Sequence, residues 1–285
     1  MDHNRLSAVL SRFSVGILIA LAFVLVRTDA TPPHFKRVVV VVLENTDFAA
    51  ATSQPFLTDL ASRGALLTNF EAATHPSQGN YIAMIAGSTY GINHDFNVNL
   101  SGQHIGDLLE AKGLGWKIYA EGYPGNCFKG SRSGYVRKHN PFISFTNVQN
   151  DPARCARIVG TDQFDIDVAN GSLPAYSLYV PNLDNDGHDT GVGFADSWLS
   201  SKFSALLNDP NFTKDTLFVV TFDENGGGYP NRVYTALFGP SVRAGATSAN
   251  AYTHIGLLRT IEDEFALGNL GKDDASAVAI TDIWR

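Results

Sequence analysis

Two apolar runs in this chain stop abruptly at pairs of polar side chains. Val38 to Val42 leads through Leu43 into Glu44 and Asn45, and Leu217 to Phe222 leads into Asp223 and Glu224. Runs this short, rich in β-branched and aromatic residues, read as strands buried on both faces of a parallel sheet. In such sheets ligands bind outside the carboxyl ends of the strands. A carboxylate beside an apolar strand is costly unless something neutralises it. One bound cation would neutralise all three carboxylates together. The pattern points to an α/β chain with a metal-centred site at one sheet edge.

The rest of the chain alternates in the same way. Helical patterns cover 54–63, 80–86, 104–112, 196–207 and 253–265, and strand patterns cover 116–120, 175–180 and 233–238. Thr253 to Phe265 has apolar residues at 255, 257, 258, 261 and 265, close to helical spacing. This order predicts a mostly parallel central sheet with helices on both faces. The stretch 121–159 is poor in helix pattern and is expected to cross over the active edge. No linker divides the chain, so residues 31–285 are expected to form a single catalytic domain.

A hydrophobic content of 44% against 17% charged residues indicates a sizeable core. The net charge of −7 argues against a nucleic-acid-binding surface. Arg5 and Arg12 precede an apolar run from Val15 to Val26 that ends at Thr28-Asp29-Ala30. The run is short for a membrane span and fits a signal peptide over residues 1–30, with an uncleaved anchor as the alternative. The reading is of a secreted protein with no stable membrane insertion after cleavage. In an oxidising compartment Cys127 and Cys155, the sole cysteines, are expected to pair, and two free buried thiols are the alternative. Asn99, Asn170 and Asn211 head glycosylation tripeptides.

Five clusters lie where strands end or helices begin. Glu44 and Asn45 offer the oxygen ligands that hard cations prefer. Ser77 follows Pro76 just before an apolar helix, where free N–H groups and the helix dipole favour an anion. It could be a nucleophile if a metal lowers its pKa, although read alone it is first of all an N-cap. Asp184, Asp186, His188 and Asp189 crowd one loop after the strand at 175–180. Asp184 and His188 are spaced to turn back on one metal, and the spacing excludes an EF-hand. A solvated acidic turn is the plainer reading. Asp223 and Glu224 run into Gly226-Gly227-Gly228, a backbone that can approach a ligand closely. His254 opens the last helix, and His139 stands beside Arg137 and Lys138. Either histidine alone reads as easily as packing.

The order of these residues is more telling than any one of them. Acid ligand, hydroxyl, Asp-x-x-x-His, acid pair and His resembles the ligand order of the alkaline-phosphatase-like superfamily. The wording resembles the phosphoesterase family of acid phosphatases and non-haemolytic phospholipases C. The matching segments are Glu44-Asn45-Thr46-Asp47-Phe48, His75-Pro76-Ser77-Gln78-Gly79-Asn80-Tyr81, Thr221-Phe222-Asp223-Glu224-Asn225-Gly226-Gly227, and His254 with Leu258-Arg259-Thr260-Ile261-Glu262-Asp263. The resemblance implies that Glu44, Asn45, Asp223 and Glu224 hold a metal, with Ser77 as the attacking hydroxyl. An all-oxygen set favours calcium, magnesium or manganese over zinc. Asp184, His188 and His254 take the order of a second metal site. With no metal there, His188 and His254, joined by His139, would bind phosphate or protonate the leaving oxygen. Asn80, Lys138 and Asp186 are the candidate substrate contacts.

The expected activity is phosphomonoester hydrolysis through a phosphoserine, as in an acid phosphatase. The alternatives are a phospholipase C or phosphodiesterase of the same family and, more remotely, a non-catalytic metal-binding module. No Cys-x-Pro-x-Arg run supports a sulfatase.

Overall fold

The computed structural model describes residues 33–285. The expected signal segment lies outside the described residues. The strands are β1 (Arg37–Leu43), β2 (Ala65–Leu67), β3 (Phe70–Glu71), β4 (Trp116–Ala120), β5 (Ile158–Val159), β6 (Tyr176–Val180), β7 (Thr216–Phe222), β8 (Thr235–Phe238), β9 (Ala246–Ser248) and β10 (Tyr252–Thr253). Eight of them form one sheet in the order β5-β4-β6-β1-β7-β8-β2-β9, and β10 pairs with β3 apart from it. Every pairing in the large sheet is parallel except those of β8, which runs antiparallel to β7 and β2. The α/β class and the mostly parallel sheet expected from the sequence both hold.

β1 is the hub. Its residues Val38 to Leu43 are buried on both faces, between parallel neighbours β6 and β7. Branched side chains suit a strand covered on both sides, which is why five valines can stand in a row. The register pairs Leu43 with Phe222, the last residues of β1 and β7. The next residues on the two strands, Glu44 and Asp223, therefore emerge side by side.

Ten residues from Ser77 to Ala86 form a wholly buried helix, which packs against the last helix, His254–Glu264. It starts three residues earlier than the apolar pattern suggests, because Pro76 takes the N-cap position and leaves Ser77 as the first helical residue. Gly79 in its first turn is required by space: a Cβ there would lie 2.5 Å from the Ile92 carbonyl oxygen. The loop 92–96 thus lies directly on the start of this helix. The helix expected at 196–207 spans Val192–Leu207, beginning at Gly191, whose φ of 89° suits glycine.

The stretch 121–159 contains short helical turns at Arg137–His139, Phe142–Ser144, Thr146–Gln149 and Pro152–Cys155. None is long enough to leave a periodic apolar signal. The Cys127–Cys155 disulfide closes this segment, with Cα atoms 5.3 Å apart and a sequence separation of 28. The loop carries Lys138 and His139 to the end of β1. Replacing both cysteines by serine is expected to lower stability by about 3 kcal/mol, the loop-closure entropy of a ring this size. Urea denaturation of wild type and variant measures it, and equal midpoints would mean that the segment is held by packing alone. Among the described residues no helix is long and apolar enough to cross a membrane.

Candidate active site

The site assembles at the carboxyl ends of β1, β6 and β7. The Glu44 N–H donates to the Asp186 carbonyl at 3.0 Å and the Asp223 N–H to the Leu43 carbonyl at 2.9 Å, stitching the three strand ends together. Asn45 takes a φ of 43°, a conformation asparagine tolerates, and its N–H donates to Asp223 Oδ1 at 3.3 Å. The start of the Ser77 helix faces these ends.

Ser77 is 1% exposed. Its Oγ lies 3.1 Å from Glu44 Oε2, 3.2 Å from Glu224 Oε1 and 3.4 Å from Lys138 Nζ. Glu44 also accepts from the Tyr81 hydroxyl at 2.7 Å on its other oxygen. His75 Nδ1 sits 2.6 Å from Glu224 Oε2 and fixes that carboxylate. Asp223 Oδ1 accepts the Glu224 N–H at 2.7 Å, while Asp223 Oδ2 is buried without a hydrogen-bond partner.

These oxygens suit a hard cation. With its amide nitrogen turned inward, Asn45 donates to Glu224 Oε1 at 3.3 Å and to Glu44 Oε2 at 3.0 Å. With its oxygen there instead, three oxygens face one another, which a cation reconciles. Burial, and then the neighbouring Asp186, push the Glu44 carboxyl up to about 8. Burial, Glu44 and Glu224 push Asp223 well above the usual carboxylate range. The orphaned Asp223 oxygen and the all-oxygen donor set of Glu44, Asn45, Asp223 and Glu224 both fit a divalent metal of this kind.

A second group adjoins the first through Glu44. Donor atoms of Glu44, His139 and Asp186 all lie within 4.8 Å of one another, so the three could hold a metal ion. His139 Nε2 is 3.0 Å from Glu44 Oε1, and His139 Nδ1 is 3.6 Å from Asp186 Oδ2. The His139 ring stacks on Tyr81 with centroids 4.8 Å apart. Burial, Lys138 and His188 hold this imidazole well below its ordinary pKa, so it is neutral and available as a ligand.

The structure thus brings together Ser77, Glu44, Asn45, Asp223, Glu224, Lys138, His139 and Asp186. Four other expected residues are placed differently. Asp184 is exposed, because the Asn182 side chain caps the N–H groups of Asp184 and Asn185 and turns Asp186 inward instead. His188 is also exposed, with Nδ1 2.6 Å from Asp189, yet near enough for its charge to act on His139. His254 is buried, with Nε2 2.9 Å from the Phe222 carbonyl and its ring edge-on to Phe70. Burial brings it down to about 4. Asn80 uses its side-chain amide on Ala73, Thr74 and the Thr74 carbonyl, which shapes the loop before Ser77. Three residues that hold the site escaped individual assignment from sequence. His75 and Tyr81 flank Ser77 in its motif, and Asp95 lies in the loop over the helix start.

The raised carboxyls have a measurable consequence. Below about 4.5, the ordinary value for glutamate, folded and unfolded chains both hold these protons. Between there and about 8 the unfolded chain has released them and the folded chain has not, so stability falls as pH rises. In chelator, the melting temperature is expected to drop across that window, and magnesium or calcium, standing in for the protons, to flatten the drop. A melting temperature that rises with pH in chelator would contradict this.

Comparison with known proteins bears on most of these residues, Glu44 and Asn45 lying before the span that the family model matches. The model of the phosphoesterase family matches residues 50–268. The chain belongs to the phosphoesterase family. The matched span includes Ser77, Lys138, His139, Asp186, Asp223 and Glu224. A probable acid phosphatase of Kluyveromyces lactis is 38% identical over 264 residues, covering 88% of this chain and 63% of that protein. An acid phosphatase of Aspergillus niger is 39% identical over 256 residues, covering 85% and 61%. A phosphatidylinositol-3-phosphatase of Mycobacterium tuberculosis is 35% identical over 258 residues, covering 88% and 84%. The chain spans about three-fifths of the length of the fungal relatives. Among solved structures, an alkaline phosphatase superfamily protein from Vibrio parahaemolyticus superposes with a TM-score of 0.57 at 15% identity, covering 85% of this chain and 71% of that one. At that identity the likeness shows the fold.

Proposed function

We propose that this chain is a secreted, metal-dependent phosphomonoesterase that works through a phosphoserine at Ser77. The observation that carries the reading is the surrounding of the Ser77 Oγ: a buried hydroxyl on the first residue of a helix, within 3.4 Å of two carboxylates and a lysine. Ser77 is not the N-cap that its sequence position suggests, since Pro76 holds that place and the Ser77 hydroxyl makes no capping bond. The names of the fungal relatives, acid phosphatases, support a monoester substrate. The joined cysteines support export to an oxidising compartment.

A divalent cation held by Glu44, Asn45, Asp223 and Glu224 would supply Lewis-acid stabilisation of the phosphoryl charge and ease the loss of the serine proton. The proton of Ser77 has two carboxylate oxygens within hydrogen-bond reach of Oγ, Glu44 Oε2 and Glu224 Oε1. Either can receive it as Oγ attacks phosphorus in line with the leaving oxygen. Burial opposes the charge on Lys138, but Asp95 and Glu44 outweigh it and raise its pKa, so it stays a cation beside Oγ. It would face the phosphoryl oxygens. As the ester bond breaks, the leaving alcohol takes a proton from a histidine. We assign that role to His188, which is open to solvent and backed by Asp189, in preference to the buried His254. Water then attacks the phosphoserine while His188 takes its proton, phosphate leaves, and the carboxyl group that received the Ser77 proton returns it to Oγ.

Hydrolysis of p-nitrophenyl phosphate and of bis(p-nitrophenyl) phosphate, each with and without chelator, tests the reading. Turnover of the monoester that chelator removes is the expected result. Turnover of the diester alone would move the protein to the phosphodiesterase branch. Inertness toward both, with metal bound, would leave a binding module.

A further inference from the structure

Asp95 reaches from a neighbouring loop to the start of the Ser77 helix and to Lys138. Its Oδ1 accepts the Gln78 N–H at 3.1 Å, in the first turn of the Ser77 helix. Its Oδ2 accepts from Lys138 Nζ at 2.9 Å. A helix start and a lysine are the two groups that a phosphate beside Ser77 would use. The N-cap residue, Pro76, offers no side chain to that turn, so a carboxylate from another loop fills the anion position. The loop is clamped to do so. Gln78 Nε2 donates to the carbonyls of His94 at 3.2 Å and Phe96 at 2.8 Å, on either side of Asp95. Gly79 leaves room for Ile92 to lie against the helix.

We propose that Asp95 is a built-in competitor for the substrate's phosphoryl group. Its carboxylate occupies the helix start and Lys138 until an ester displaces it, and so it sets affinity more than turnover. The inference rests on the reading of Ser77 as the nucleophile. The alternative role, holding Lys138 in position, fits the geometry less well. Lys138 is also within reach of Ser77 and attracted by Glu44 and Asp223, so it has other ties. Oδ1, moreover, is aimed at the helix and not at the lysine. The Asp95 side chain is 33% exposed against 18% for Lys138, which puts it on the solvent side, free to swing outward.

The test is Asp95→Asn, which removes the charge and keeps an oxygen for the Gln78 N–H, with Asp95→Ser as a second neutral cap. Steady-state kinetics on p-nitrophenyl phosphate and competitive inhibition by inorganic phosphate are compared with wild type. Removal of a like charge at this range is expected to lower both KM and the phosphate inhibition constant by roughly threefold to tenfold, with the change falling on KM more than kcat. Higher values of both constants in the two variants would assign Asp95 to positioning Lys138 and overturn the proposal, and unchanged values would overturn it equally. Calorimetric binding of phosphate to Ser77→Ala, with and without Asp95→Asn, gives the same comparison without turnover. A wild type that hydrolyses no ester but shows the tighter phosphate binding on Asp95→Asn would sink the catalytic reading and keep the competitor. Wild-type hydrolysis with no effect of Asp95 would do the reverse.

Discussion

Ser77→Ala is expected to reduce hydrolysis of p-nitrophenyl phosphate by about 10^4-fold or more, the scale seen when a serine nucleophile is removed. The loss falls on kcat. The environment gives no substitute: the nearby hydroxyl of Tyr81 is bonded to Glu44 and, by burial and then by the charge of Glu44, held well above its ordinary pKa. The fold should survive. Ser77 is a small side chain on a helix anchored by its own buried face, and Glu44 retains Tyr81 as a donor. The lost hydrogen bonds cost roughly 1–2 kcal/mol. Circular dichroism and a melting curve establish folding, and kinetics establish the loss. Wild-type activity in a folded Ser77→Ala protein would remove Ser77 from the chemistry.

Asp223→Asn should separate the metal's contribution from that of the hydroxyl. Asparagine keeps the Oδ1 acceptor that serves the Asn45 and Glu224 N–H groups. It replaces the orphaned, buried Oδ2 with a donor among carboxylates. Without metal, the variant should therefore be more stable than wild type at neutral pH, because a buried acid whose pKa is raised by burial, Glu44 and Glu224 is destabilising there. With magnesium, calcium or manganese added, wild type should gain melting temperature and the variant should gain little. Activity should fall by about 10^2-fold or more, since the charge that draws the cation is gone. A variant less stable in chelator, or one that responds to cation like wild type, would place the metal elsewhere.

The readable part of this protein is its sheet. A strand buried on both faces has no choice but continuous apolar residues, and the change to acids at Glu44 and Asp223 marks where it meets the site. Parallel pairing of β1 with β7 then brings the two acids side by side, which no local signal states but the parallel class implies. What stayed hidden depends on loops. Asp184 and Asp186 look equivalent in the sequence, and a cap from Asn182 decides that the second turns inward. His139 reaches Glu44 only because a disulfide-closed segment without helical periodicity folds back over β1. Asp95 lies 17 residues from Gln78, whose N–H it accepts, and nothing around it in the sequence distinguishes it from a surface acid. His254 is half settled: its Nε2 is engaged with the Phe222 carbonyl, just before Asp223, while its buried Nδ1 has no hydrogen-bond partner.

Catalysis by Ser77 requires transfer of the phosphoryl group to its Oγ before water attacks. The most direct measurement is the stereochemical course at phosphorus, using a phosphate monoester made chiral with oxygen isotopes. Two successive in-line displacements retain configuration, and retention is the predicted result. Inversion would mean that water attacks the ester directly, and Ser77 would then be no more than the first residue of its helix.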